Sequence, residues 1–173
     1  CHKTFNALTG TPLAHLREKP KWLDYLAAMA QSQTVRQSAS DAGVHRNTSF
    51  RWRHRFLRWI SQDRPASLHG ITEADETYLL ESDKGQQNLG RKARKRGGSP
   101  CKRGISEEQI CVLVARDRSG QTLDFVTGNG PLTKPLLTAS LKPVLDADAL
   151  LVSDANPTYT AFCNTEGFSH EVV

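Results

Sequence analysis

The segment Gly70–Leu80 reads GITEADETYLL and gathers three carboxylates, Glu73, Asp75 and Glu76, into a stretch otherwise shaped like a strand. Acids are depleted from strands because a carboxylate on a pleated, half-buried surface loses hydration. Two explanations remain: a solvated edge, or oxygens collected around a positive charge. Asp154 directly follows the apolar run Leu150-Leu-Val-Ser153, where a buried parallel strand would deliver it to the carboxyl edge of a sheet. If the two strands are neighbours, Asp75 and Asp154 line an oxygen-rich cleft. Mg²⁺ (or Mn²⁺) suits such ligands, and Mg²⁺ usually keeps several waters for substrate phosphates. Two such ions about 3.5–4 Å apart activate an attacking oxygen and stabilise a leaving one in phosphodiester chemistry. Asp154 before Ala-Asn-Pro also suits an ordinary turn, and Glu73 and Glu76 read as supporting or solvent-facing.

The elements that would position these acids have a period of two. Strands are expected over Thr72–Leu80, Gln109–Arg116 and Leu123–Thr127, the last two joined by the hairpin segment Asp117-Arg-Ser-Gly120. Within the first strand, Ile71, Glu73, Asp75, Thr77 and Leu79 share one face, and Thr72, Ala74, Glu76, Tyr78 and Leu80 the other. That puts Asp75 mid-strand, the costliest place for a free carboxylate. A helix over Lys134–Leu145 is confined by Pro135 and Pro143. A strand over Ala149–Ser153 follows, then a turn or helix start at Asn156-Pro157 with Tyr159, Phe162 and Cys163 on one face. His170–Val173 begins a further strand.

Upstream the period is helical. From Pro20, a helix places Trp22, Leu23, Leu26 and Ala30 on one stripe. A second helix spans Val35–Ala42. Ala39, Gly43 and Val44 then supply the small residue, tight turn and buried aliphatic of a helix-turn-helix. Asn47, Thr48 and Ser49 suit helix capping or contact with DNA. The third helix, Arg46–Ile60, presents Trp52, Phe56, Trp59 and Ile60 to the core and Arg51, Arg55 and Arg58 on a neighbouring face. From Ala42 to Gln62 there is no Asp or Glu, and DNA backbone binding accounts for that better than a solvated basic helix.

Charge is unevenly distributed. Residues 1–70 carry 11 Lys and Arg against 4 Asp and Glu, and residues 71–173 carry 12 against 14. Eight of those 12 cations fall in the acid-free run 84–104, which includes Arg91, Lys92, Arg94, Lys95 and Arg96. With one Leu and no aromatic or β-branched residue, this run builds no core; it is expected to be a mobile arm that grips phosphates. The apolar segments are too short to span a bilayer, and no secretory signal is visible. Four scattered cysteines form no CxxC pair, so spacing alone defines no zinc site, and reduced thiols in a cytoplasmic setting are expected. A chain beginning at Cys1 rather than Met is expected to be a fragment.

Taken together, several stretches resemble bacterial insertion-sequence transposases of the DDE type, built from a zinc ribbon, a helix-turn-helix and a ribonuclease H-like catalytic domain. They are Cys1-His-Lys-Thr-Phe5 with Leu8-Thr-Gly-Thr-Pro12, Thr48-Ser-Phe-Arg-Trp-Arg-His-Arg-Phe56, Glu73-Ala-Asp-Glu-Thr-Tyr78, and Ser153-Asp-Ala155 with Tyr159 and His170. The resemblance implies the end of a zinc ribbon over 1–15, a helix-turn-helix over 16–63, a linker over 64–70 and an incomplete α/β catalytic domain with a mixed sheet over 71–173. It makes Asp75 and Asp154 the catalytic, Mg²⁺-binding carboxylates and Cys1 a remnant zinc ligand, with Zn²⁺ bound only where the ribbon is whole. The family's third metal residue lies beyond a segment like His170-Glu-Val-Val173, and Glu171 is a poor stand-in. Arg46, Asn47, Thr48, Arg51, Arg55 and Arg58, with the basic arm, would hold double-stranded DNA, both element ends and target, as a homo-oligomer. The implied activity is strand cleavage and strand transfer. A nuclease or resolvase that never joins, or a non-catalytic DNA-binding regulator, are the alternatives.

Overall fold

The computed structural model describes residues 4–11, 13–61, 64–83, 85–90, 92 and 98–173. The chain divides into two units, Cys1–Arg64 and Pro65–Val173.

The first unit is helical. After a short 3₁₀ turn at Lys19–Lys21 come α1 (Trp22–Ala30), α2 (Val35–Asp41) and α3 (Arg46–Ile60). Its core is aromatic: Trp22, Tyr25, Trp52 and Phe56 pack with Ala42, and Tyr25 meets Trp52 edge-on at 5.3 Å. The Tyr25 hydroxyl donates to the Ser49 carbonyl, and Ser49 Oγ donates to Val35 O at 2.8 Å, so both hydroxyls are partnered. Thr34 caps α2 through Gln37 N. Gly43 turns the chain between α2 and α3 at φ 58°, a conformation that disfavours a Cβ. Lys21 Nζ donates to its carbonyl at 2.9 Å.

Two expected stripes are narrower than the spacing suggests. Leu23 and Ala30 are exposed on α1, where Trp22, Tyr25 and Ala28 form the buried face. Successive residues point about 100° apart around a helix, so Leu23 lies off the face that Trp22 and Tyr25 bury. On α3, Trp52 and Phe56 are buried, whereas Trp59 and Ile60 are exposed, because α1 and α2 are too short to cover its last turn. The cap of α3 is His45, whose Nδ1 accepts from Asn47 N at 3.3 Å.

The second unit holds a five-stranded mixed sheet in the order β3-β2-β1-β4-β5. Its strands are β1 (Ile71–Leu80), β2 (Gln109–Asp117), β3 (Thr122–Asn129), β4 (Leu150–Ser153) and β5 (Ser169–Val172). Helix α4 (Lys134–Leu141) connects β3 to β4, and α5 (Pro157–Glu166) connects β4 to β5. The order β-β-β-α-β-α-β is the one the periodicity predicts, and β1 lies at the centre of the sheet. β1 runs antiparallel to β2 and parallel to β4. Helix α4 ends at Leu141 rather than Leu145, since Pro143 leaves no N–H to continue it.

One face of the sheet carries the core. Ala74, Cys111, Leu113, Ala115, Leu123 and Leu151 pack beneath Leu137 and Leu141 of α4 and Tyr159, Phe162 and Cys163 of α5. On the opposite face Ile71, Leu79 and Val126 remain exposed. The alternation of β1 falls out accordingly, with Thr72 and Ala74 buried and Glu73, Asp75 and Thr77 exposed. The expected cost of a half-buried Asp75 therefore does not arise: its register puts it on the wet face. Among the described residues, no helix is long and apolar enough to cross a membrane.

Asp117 locks the β2–β3 hairpin. It is nearly buried and accepts from Ser119 Oγ at 2.6 Å, Gln121 N at 3.0 Å and His69 N at 3.3 Å. These donors, Ser119 foremost, hold its carboxyl below the usual carboxylate range. A carboxyl whose pKa is depressed by folding stabilises the native state above its unfolded pKa, near 4, and that support is lost as pH falls through the folded value. Asp117→Asn should lower Tm at pH 7, and thermal melts should show the gap between the two proteins narrowing as the pH is brought to 3 and below.

Candidate active site

The ladder between β1 and β4 decides how the two aspartates relate. It pairs Ile71 with Leu150, Thr72 with Leu151 and Glu73 with Val152, and there it stops. Carried two residues further along both chains, the same register sets Asp154 beside Asp75 and on the same side of the sheet. Both residues are exposed, Asp75 on β1 and Asp154 in the turn that leaves β4.

Backbone directions support this placement. Leu150 N donates to Gly70 O, whereas Arg118 N donates to Ile71 O. The N–H and C=O of even-numbered β1 residues thus face β4 and those of odd-numbered residues face β2. Glu76 N–H consequently points into the gap beyond the end of β4, where no strand takes it. Asp75 Oδ1 accepts it at 2.8 Å, which draws the carboxylate toward the side on which Asp154 lies.

Glu76 itself points the other way, toward α5. Its Oε1 accepts from Asn156 Nδ2 at 2.9 Å and its Oε2 from the Tyr159 hydroxyl at 2.6 Å. Asn156 is also the N-cap of α5, taking Thr158 N on Oδ1 at 3.0 Å, and its own N–H goes to Asp154 Oδ1 at 3.2 Å. A continuous path of hydrogen bonds therefore joins Asp75 to Asp154 through Glu76 and Asn156. Each aspartate has one oxygen engaged, and the other, Oδ2, has no hydrogen-bond partner among the described residues. Tyr159 is fully buried; that burial, then the bond to Glu76 and the negative charge of Glu76, Asp154 and Asp75, hold its phenol far above its ordinary pKa. It stays a neutral donor.

Beside Asp75, a shallow concavity is lined by Glu73, Thr77, Val114 and Arg116. Arg116 pairs across the ladder from Glu73, yet Glu73 takes its ion pair from Arg118 at 2.6 Å. Arg116 is exposed and has no ion pair among the described residues, leaving a cation next to the acids. Further along β4, Ser153 Oγ donates to Asp154 O at 3.1 Å and meets His170 Nε2 at 2.9 Å.

In the helical unit, α3 carries Arg46, Asn47, Arg51, Arg55 and Arg58 exposed, while Thr48 is half-buried. Arg53, between them, is structural: its guanidinium donates to Gln33 O and Ser38 Oγ. Phe50 is exposed and its ring lies 4.4 Å from that of His54, centroid to centroid. Lys92 is exposed, whereas Cys1, Arg91, Arg94, Lys95 and Arg96 lie outside the described residues.

Sequence reasoning missed Asn156, whose two duties leave no sequence signal apart from its place before Pro157, and Arg116, which is visible only once the register is known. Among the described residues, no group of three or more His, Cys, Asp or Glu side chains could hold a metal ion. The pair Asp75–Asp154 nonetheless suits a hard divalent cation, since each offers an oxygen free of hydrogen bonds and Mg²⁺ usually keeps several waters.

A profile of the ISXO2-like transposase domain matches residues 67–173. The chain belongs to this family. No curated protein matches it in sequence. Among solved structures, the transposase domain and its helical unit are similar to a pre-cleavage Mos1 transpososome (12% identity, TM-score 0.29) and a Mos1 transposase paired-end complex with left transposon end (13%, 0.28). A Mos1 Strand Transfer Complex is also similar (14%, 0.29). These matches cover 97% of this chain and 62%, 62% and 60% of those chains, so it spans about three fifths of their length.

Tyr159→Phe removes one of the two side-chain donors to Glu76 and leaves a carboxylate oxygen facing a buried ring. The loss should be about 1.5–3 kcal/mol of unfolding free energy, read from urea titrations, as for other hydrogen bonds to a charged group.

Proposed function

We propose that this protein is an insertion-element transposase that binds DNA ends through its helical unit and cuts and joins strands with Asp75 and Asp154. The observation that supports the reading is the β1–β4 register: extended two residues past its last pair, Glu73 with Val152, it brings Asp154 beside Asp75 inside a transposase-family domain. Their free Oδ2 atoms would hold Mg²⁺ or Mn²⁺. Bound there, a divalent cation would supply positive charge for the attacking and departing oxygens of a phosphodiester.

The chain's own residues do the rest. Asp75 and Asp154 present oxygens from a wet sheet face that DNA can approach. Arg116 sits in the adjoining concavity, where a guanidinium suits a substrate phosphate. Hydrolytic nicking and joining by a 3′-hydroxyl need the same site, because only the nucleophile differs. On α3, Arg51, Arg55 and Arg58 project together and supply the salt-sensitive grip on the backbone, with Arg46, Asn47 and Thr48 at the helix start facing base edges. Arg91, Lys92, Arg94, Lys95 and Arg96 add charge from the arm. Homo-oligomer assembly on paired ends, a cytoplasmic location in a bacterial host, and zinc at Cys1 within a complete ribbon belong to the same reading.

Asp75→Asn should abolish metal-dependent cleavage of an end-bearing duplex while gel-shift affinity stays within about threefold; cleavage that survives in this variant overturns the assignment. Replacing Arg51, Arg55 and Arg58 together by Ala should flatten the plot of log K against log salt by roughly three phosphate contacts' worth, a slope change of about 2.7. An unchanged slope would remove this face from the DNA interface.

A further inference from the structure

Glu76 is an acid one residue from Asp75, and a third carboxylate near two others invites assignment as a third ligand. Its geometry points elsewhere. Neighbouring strand residues face opposite sides of the sheet, so Glu76 lies on the helix-covered face and Asp75 on the exposed one. Both Glu76 oxygens are already taken, one by Asn156 and one by Tyr159. Its two partners sit two and five residues after Asp154, and Asn156 also donates to Asp154.

We infer that Glu76 is a positioning residue: a strut that fixes the turn carrying Asp154 against β1, and so sets the spacing of the two cation-binding aspartates. This rests on the reading of Asp75 and Asp154 given above. The need for a strut follows from the ladder. β4 is only four residues long and its pairing with β1 ends at Val152, so no backbone hydrogen bond from β1 holds Asp154. Without Glu76, residues 154–156 would be tied to β1 by no side-chain contact in this network. The charge of Glu76 is not what the role requires. A glutamine there could accept from Asn156 Nδ2 on its oxygen and donate to the Tyr159 hydroxyl with its amide.

Mn²⁺ binding to the DNA-free chain is followed by electron paramagnetic resonance, with circular dichroism melts to confirm folding. Glu76→Ala should weaken Mn²⁺ binding about 10- to 100-fold, the usual cost of losing a group that orients a ligand. Glu76→Gln should restore binding to within about threefold. Asn156→Ser keeps an oxygen to cap α5 but cannot reach Glu76, and it should weaken Mn²⁺ binding like Glu76→Ala. Combined with Glu76→Ala, it should add little, because both break one link.

Loss of binding in Glu76→Gln as severe as in Glu76→Ala would make the charge itself essential and overturn the strut. Full binding in folded Asn156→Ser, or in folded Glu76→Ala, would overturn it too. If Asp75→Asn abolishes Mn²⁺ binding while the Glu76 and Asn156 variants bind normally, only the strut fails. If Asp75→Asn binds as well as the unaltered chain, or that chain binds no Mn²⁺, the reading of the two aspartates fails and takes the strut with it.

Discussion

Parallel pairing of β1 with β4 is the constraint on which the rest of the domain depends. Three residue pairs fix it, and side chains along a strand alternate with a period of two. A slip by one residue would send Asp154 to the helix-covered face and bring Ser153, now buried, out to solvent. That slip is opposed by the apolar burial around it. Leu151, wholly buried between β1 and β5, would have to exchange places with the half-buried Val152. Core packing on one face of the sheet therefore decides which side chains the other face presents.

The acids around this edge create an electrostatic problem that neutral donors relieve. Glu76 is satisfied by an amide and a phenol rather than by a cation, so its full charge remains in the local field. Asp75 and Asp154 are likewise engaged by backbone N–H groups alone. Cations stand close by without cancelling the pair: Arg118 is spent on Glu73, and Arg116 is unengaged among the described residues. The result is a negative edge bordered by a positive group.

Much of this architecture is legible from residue order. The switch from helical to alternating periodicity after residue 70 separates the two kinds of secondary structure, and hairpin chemistry at Asp117–Gly120 joins β2 to β3. Tyr159, Phe162 and Cys163 emerge as one buried face of α5, as their spacing implies. Periodicity misleads where neighbours are short: Trp59, Ile60 and Leu23 continue apolar patterns yet are exposed. Asp75 illustrates a different limit. Its position in β1 is readable, but whether its face is covered depends on which side α4 and α5 pack, and that is a tertiary choice. Glu76 reads in the sequence only as supporting or solvent-facing, because its partners lie 80 and 83 residues away.

Asn156 gives its two side-chain atoms to two different structures, the oxygen to the first turn of α5 and the nitrogen to β1. Few side chains of that size both give and accept. Fraying of the helix start would swing the same planar group that steadies the sheet edge, so thermal unrest in α5 would be transmitted to the carboxylate beside it. Rigidity at this edge is thus inherited from how firmly one helix begins.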